Sequence, residues 1–475
     1  MADRLEPGGR GLFGGVFAKG EAETGDVAWV QAMLDTEAGL ARALERAGLA
    51  PAGSGAAVTA EAQAGNFLLD ELGGLAALTG NPVPGLARAL ARRVPQPAAG
   101  AVHQGATSQD ILDTAAMLLA RRVTAVVLAD LATAADAAAA LAEEHRSTIM
   151  IGRTLLQQAV PVTFGLVAAG WLTALDEARE GLAAVGSRRL AVQFGGAVGT
   201  LASLGVDGPR VAALLAEELG LAVPVLPWHT ERLRIIDLGA ALARVTAALG
   251  KIARDVTLLA QPEVGEVSEG GGARGAPNGA AREGPAPPPR RGGAPATPHK
   301  HNPVAAVAIL GCTRQVPGLL ATLVACAEQE HQRAAGAWHA EWEPLTALLR
   351  LTASAASWAA DLLPGLAVDG PRIAANLAAS KDLPLAEHVA SLLAGVLGGA
   401  QARDLVAEAA QRAVSAGLPL RDVLLAVPRL ESRLAAAGVT AEQVEAALEP
   451  SGYLGASDAF ITAALAAHES LAARS

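Results

Sequence analysis

Aromatic residues are scarce in this sequence, with one Tyr, six Phe and six Trp making up 3% of the chain. β-Branched residues rarely alternate with polar ones, while Ala and Leu run through almost every segment, and that balance favours helix over sheet. Cysteine is nearly absent. Cys312 and Cys326 lie in an apolar stretch, and Met1-Ala2-Asp3-Arg4 opens no apolar core followed by a cleavage site, so the expected compartment is a reducing cytoplasm. A broad basic surface is lacking as well: the net charge is −10 and the pI about 5.5, which argues against nucleic acid or an anionic membrane as partner. There is no His-Glu-x-x-His, no Cys-x-x-Cys and no Walker loop, so metal hydrolysis and nucleotide hydrolysis lack support, and no metal or cofactor is implied. The mean hydropathy is positive, +0.33. Even so, the long uncharged stretch 155–175 contains Gln157, Gln158, Pro161 and Thr163, too polar for a spanning helix, and is read as buried in protein.

With 475 residues, 51% of them hydrophobic and 18% charged, the chain can bury more than one core. The expected class is all-α, with three helical domains over 1–105, 106–350 and 351–475. Residues up to about 100 read as short helices broken by Gly and Pro. From Ser108 to Glu144 the pattern is helical with few breakers, and a second long helix is expected from Thr230 onward. In it Leu238, Leu242, Val245, Leu249, Ile252, Val256 and Leu259 recur with alternating gaps of four and three, a heptad seam. Such a stripe is either the buried face of a helix within one subunit or a surface packed between subunits; its regularity favours a long-helix bundle and an oligomer. Residues 270–298 combine Gly270-Gly271-Gly272 with irregular Ala, Arg, Pro and Gly, a composition with no core to pack and expected to be a mobile loop. Helix is expected again from Pro303 to about Glu330, and in the last third with breaks at Pro364, Pro384 and Pro419.

Four polar clusters interrupt this background. His103-Gln104-Gly105-Ala106-Thr107-Ser108-Gln109-Asp110 stands just before a long helix, where Thr107 or Ser108 can cap the helix or turn hydroxyls and N–H groups toward an anion. Gly152-Arg153-Thr154-Leu155-Leu156-Gln157-Gln158 puts a guanidinium at the start of an apolar segment, where a carboxylate is expected, either an internal one or a substrate's. Pro298-His299-Lys300-His301-Asn302-Pro303 gathers polar donors between two prolines, either a solvated basic turn or a local cationic site. The fourth runs from Gln329-Glu330-His331-Gln332-Arg333 through Trp338-His339-Ala340-Glu341-Trp342.

In this order and on this background, the clusters resemble the fumarase/aspartase superfamily over about residues 25–465. The general mark, a loop of pattern G-S-S-x-M-P-x-K-x-N-P, is matched by 293–303. More specific marks resemble the bacterial 3-carboxy-cis,cis-muconate cycloisomerases: Arg153-Thr154-Leu155-Leu156-Gln157-Gln158-Ala159, Pro227-Trp228-His229-Thr230, and the run from Trp338 to Leu345. Leu155 stands where adenylosuccinate lyases carry a catalytic His, and Trp342 where they carry a phosphate-gripping Arg. The resemblance implies an all-α homotetramer whose central helix bundle is shared, acting on a small tricarboxylate without cofactor. The implied reaction is lactone formation in protocatechuate breakdown by the β-ketoadipate pathway. A trianionic substrate must be held, its enolate-like intermediate stabilised and a proton delivered. His103, His229 and His299 are the candidates for proton delivery and Lys300 acts with them. Thr107, Ser108, Arg153, Thr154, Gln157, Asn302 and Trp338 are the candidate binding residues.

Three departures stand out. The family's loop serines fall at Ala294 and Pro295 and its Met at Thr297, and Glu231 replaces a substrate-binding Gln. Two rival expectations follow: elimination of fumarate from a succinyl compound, disfavoured by Leu155 and Trp342, and a catalytically impaired homologue, which Ala294 and Pro295 favour.

Overall fold

The computed structural model describes residues 12–270, 293, 294, 297–426, 428–436 and 438–474; the side chains at 293, 294, 297–299 and 428–431 lie outside that description. The fold is all-α, 71% helix and 5% strand. Most of the 270–298 segment, with Pro295, and the side chain of His299 fall outside the described residues.

Packing gathers the chain into two compact units. The first comprises Met1–Ala132, Glu177–Lys251 and Val307–Ala360, and the second Thr133–Asp176, Ile252–Ala306 and Asp361–Ser475. In the first unit, helix α1 (Asp26–Ala47) is not one of the short helices expected of this region. It contains no Pro and one Gly, Gly39, and its other residues, rich in Ala, Leu, Glu, Gln and Arg, sustain six turns. Its buried face carries Val30, Met33, Leu34, Leu40 and Leu44 into a core shared with Leu86, Leu90, Ile111, Leu118, Val192, Leu215 and Trp338.

Helix α2 spans Ser108–Glu144, as the sequence pattern indicates. After it in the chain, β1 (Ile149–Thr154) and β2 (Gln157–Thr163) form an antiparallel hairpin where an apolar buried segment was expected. The first part of the 155–175 stretch is therefore strand, and helix α3 (Phe164–Arg188) begins only after it. Leu155 and Leu156 form the hairpin tip and are 96% and 73% exposed, contrary to the expectation of burial. Both have positive φ, 52° and 63°, the sign pattern of a type I′ turn, which matches strand twist but strains any residue other than Gly, Asn or Asp. At Gly152 the register shifts, and a Cβ there would come within 2.5 Å of the Val160 carbonyl.

Helix α4 (Gly208–Leu219) packs on the core of the first unit, and the expected second long helix is α5 (Leu233–Leu259). Every residue of the heptad seam from Leu238 to Leu259 is buried within the single chain. The subunit-interface reading of that stripe is corrected: the seam is a core face, already covered, and has no apolar surface left to offer another copy.

In the second unit, β3 (Val267–Glu269) pairs with β6 (Leu366–Val368), and β4 (Gly293–Ala294) with β5 (Thr297–His301). Helix α6 (Val304–Thr313) has its first free N–H groups, from Ala305 and Ala306, capped by the Glu269 carboxylate at 3.0 and 2.8 Å. A separate core forms at its C-terminal end from Leu385, Val389, Leu393, Leu405, Leu424 and Val444.

Two runs, Ser108–Glu144 and Val304–Ala325, are long and apolar enough to cross a membrane by composition alone. The first carries Asp110 and Asp113 in buried ion pairs, the setting of a protein core, and the second breaks between Thr313 and Val316.

Candidate functional site

In the first unit the site grows from the first turn of α2. Asp110 is buried there, and its carboxylate accepts from the backbone N–H groups of Thr107, Gly195 and Gly196 at 3.0, 3.0 and 2.9 Å. The Gln193 amide at 3.2 Å and His229 Nε2 at 2.7 Å complete its shell. Asp110 rather than a Thr107 or Ser108 hydroxyl thus ties off the helix start. The hydroxyls of Thr107 and Ser108 make no hydrogen bond among the described residues, and both side chains are half-buried. They are left facing outward beside the positive end of a 37-residue helix, where an anion is favoured.

A second carboxylate–histidine pair stands at the preceding loop. His103 has φ 59°, and its backbone N–H and ring Nδ1 contact the two oxygens of Glu37 at 2.8 and 2.7 Å. Glu37 projects from the buried face of α1. Burial works against the charged imidazole, but the Glu37 hydrogen bond and the charges of Glu37 and Asp110 outweigh it, and the His103 pKa is raised above the ordinary value.

Beneath these pairs lies a buried ionic layer. Arg232 donates to Asp113 at 2.7 Å and to Glu341 at 2.6 Å, and its guanidinium stacks 4.8 Å from the Trp228 ring. Desolvation is overcome by the two carboxylates, which raise the Arg232 pKa further. Glu341 moves up as well, because burial and Asp113 outweigh the pull of Arg232 and Gln329. Gln109 donates to Asp113 and to the His229 carbonyl, and accepts from Arg333 at 2.8 Å. Arg333 otherwise meets the Gly196 and Ala197 carbonyls, and desolvation lowers its pKa despite Asp110 and Asp113. Gly195 has no room for a side chain: a Cβ would sit 2.7 Å from Pro227 and 2.8 Å from the His229 ring.

The structure therefore brings His103, Thr107, Ser108, His229 and Trp338 into one unit. Trp338 is mostly buried, and its indole N–H is taken by Asp113 at 3.0 Å. Glu37, Asp110, Arg232 and Arg333 were not singled out from the sequence as site residues. The signal for Glu37 was its spacing. Met33, Glu37, Leu40 and Leu44 step by four, three and four, which sets a carboxylate on a core-facing stripe. Glu231 accepts from the Leu233 N–H at 3.0 Å at the start of α5, a local capping contact.

The second unit holds the other candidates. Arg153 makes a two-pronged ion pair with the buried Glu266, at 2.7 and 2.8 Å, and Asn376 donates to the same carboxylate. Of the two partners the sequence allowed for Arg153, the internal carboxylate is present. Thr154 and Gln157 flank the exposed Leu155-Leu156 tip. Lys300 is exposed on β5, with no ion-pair partner among the described residues, and Asn302 precedes α6. Neither cysteine competes as a nucleophile: both are buried, and burial pushes the Cys312 thiol up to about 12.

An all-α chain with carboxylate-held histidines and half-buried hydroxyls at a helix start has the outline of a lyase-type enzyme. A lyase family model matches residues 86–318, and the chain belongs to that family, within the fumarase/aspartase superfamily. It is 43% identical to nitrosuccinate lyase of Streptomyces davaonensis over 94% of this chain and 92% of that protein. With 3-carboxy-cis,cis-muconate cycloisomerase of Pseudomonas aeruginosa it shares 42% identity, over 93% of this chain and 92% of that protein. Its fold is similar to the crystal structure of the 3-carboxy-cis,cis-muconate lactonizing enzyme of Pseudomonas putida, with a TM-score of 0.86 and 38% identity over 97% and 99% of the two chains.

Proposed function

We propose that this protein is a cycloisomerase that converts 3-carboxy-cis,cis-muconate to 4-carboxymuconolactone. The observation that carries the proposal is the similarity, across nearly the whole chain, to cycloisomerases in both sequence and fold. The reaction sets what the site has to supply. One substrate carboxylate oxygen bonds to an alkene carbon, the π electrons move to the neighbouring carbon, and that carbon takes a proton, so the trianion plus one proton from solvent gives the dianionic lactone with no group leaving and no change in overall oxidation state. The protein's tasks are to hold a trianion, to stabilise the charge that develops and to deliver the proton. In the first unit Thr107 and Ser108 receive a carboxylate at the start of α2; in the second unit Lys300, Thr154, Gln157 and Asn302 are the candidate carboxylate binders. Arg153 orients the hairpin through Glu266. His103 delivers the proton, with His229 and His299 as the alternatives; Trp338 closes the floor of the first-unit site. The active form is a cytoplasmic homotetramer, and the chain keeps the three-domain organisation drawn from its sequence.

A second reading has a specific observation behind it, the 43% identity to a nitrosuccinate lyase. In that case the same anion binders would hold a succinate skeleton while a base withdraws a proton and a β-substituent leaves. Loss of diene absorbance when purified protein meets 3-carboxy-cis,cis-muconate supports the cycloisomerase. Inertness toward it, with release of nitrite from nitrosuccinate, replaces that reading with the second.

A further inference from the structure

Two histidines of the first unit are each gripped by a carboxylate, but the grips differ. Asp110 receives five donors: three backbone N–H groups, the Gln193 amide and His229. Its negative charge is already spread over neutral dipoles, and the imidazole is one partner among several. Glu37 is 0% exposed and has no partner among the described residues except His103, which contributes both of its hydrogen bonds. A fully buried carboxylate so poor in donors depends on the imidazole for its counter-charge.

Geometry adds a second element. The contact fixes Nδ1 and the backbone N–H of the same residue, so the ring cannot turn over without losing one bond and leaving a buried oxygen bare. A non-glycine residue at φ 59° needs such over-determination to persist. Nε2 has no hydrogen-bond partner among the described residues, and the ring is 26% exposed. The two charged groups acting on this ring are Glu37 from α1 and Asp110 from α2.

We propose that Glu37 is a positioning residue that locks the His103 ring with Nε2 outward, as the group that hands a proton to the substrate. The inference rests on the reading of His103 as proton donor. Glu37 touches no substrate; it works through the orientation of His103 and through the charge that keeps its proton in place.

The test is Glu37→Gln in the full chain, with Glu37→Asp as a second variant that keeps the charge but shortens its reach. Diethyl pyrocarbonate labels neutral imidazole, and mass spectrometry reads its rate at His103 against pH without any substrate. Removing the Glu37 charge lowers the His103 pKa, so labelling near pH 6 should quicken about 10-fold in Glu37→Gln, with Glu37→Asp intermediate. Turnover of 3-carboxy-cis,cis-muconate should fall about 10-fold or more in kcat with KM little changed, and the alkaline limb of its pH profile should move to lower pH. Unchanged His103 labelling in Glu37→Gln, or in Glu37→Asp if the first does not fold, overturns the proposal. So does a labelling shift without movement of the alkaline limb. An unmodified protein that labels as expected but does not turn over muconate overturns the functional reading, a failure the labelling alone distinguishes.

Discussion

The start of α2 and the β1–β2 hairpin both carry conspicuous polar motifs, yet they solve opposite problems. At the helix start, Asp110, Asp113, Glu341, Arg232, Gln109 and His229 are buried and hydrogen-bonded, while Thr107, Ser108 and one face of His103 remain open. At the hairpin, Arg153 is tied to Glu266, but the tip is a strained, exposed Leu-Leu pair. A functional motif in this chain thus divides into a frame that must be complete within the fold and a few groups kept free for something outside it. Buried charge fixes geometry, and exposed groups are where binding is to be sought.

The most severe way to break the frame is Arg232→Met, which leaves Asp113 and Glu341 buried without their cation. The expected loss is about 3–5 kcal/mol of stability, read from the denaturant midpoint. A change under about 1 kcal/mol would mean that water reaches this layer. Lys300→Ala probes the opposite case, an exposed cation: turnover should slow by about 10²-fold while the melting temperature hardly moves, and normal kinetics would make Lys300 a solvated surface charge. Replacing Leu155 with Asn and Leu156 with Gly gives the hairpin tip the residues its positive φ angles favour. A gain of about 1 kcal/mol is expected, and a loss would show that the leucines are held by contacts that outweigh the strain.

The smallest effect concerns His103. Its folded pKa lies above the unfolded value of 6.5, so the stability it contributes is fully present below about that pH and is lost as pH rises through the folded pKa. Stability measured across that window should decline more steeply for the unmodified protein than for His103→Gln. Parallel curves would show that the ring gains no charge stabilisation from Glu37.

Much of the frame was legible in the sequence. Thr107-Ser108 before an apolar run marked the first turn of α2, and the seam from Leu238 marked the core face of α5. The seam could not say what covered it, because a stripe buried within a subunit has the same period as one buried between subunits. The hairpin stayed hidden because its Leu-Leu tip has no turn chemistry and Ile149 to Thr163 is apolar enough to pass for buried helix. Long-range pairs were the least legible. Glu37 and His103 are 66 residues apart, and Arg232 lies 119 residues from Asp113, separations that no local pattern spans.

The most direct measurement offers purified protein 3-carboxy-cis,cis-muconate and nitrosuccinate together and follows lactone by NMR and nitrite by colorimetry. Lactone should form with a kcat/KM for muconate at least about 10²-fold above that for nitrosuccinate, a difference of about 2.7 kcal/mol in transition-state binding. Nitrite release with muconate untouched would contradict it.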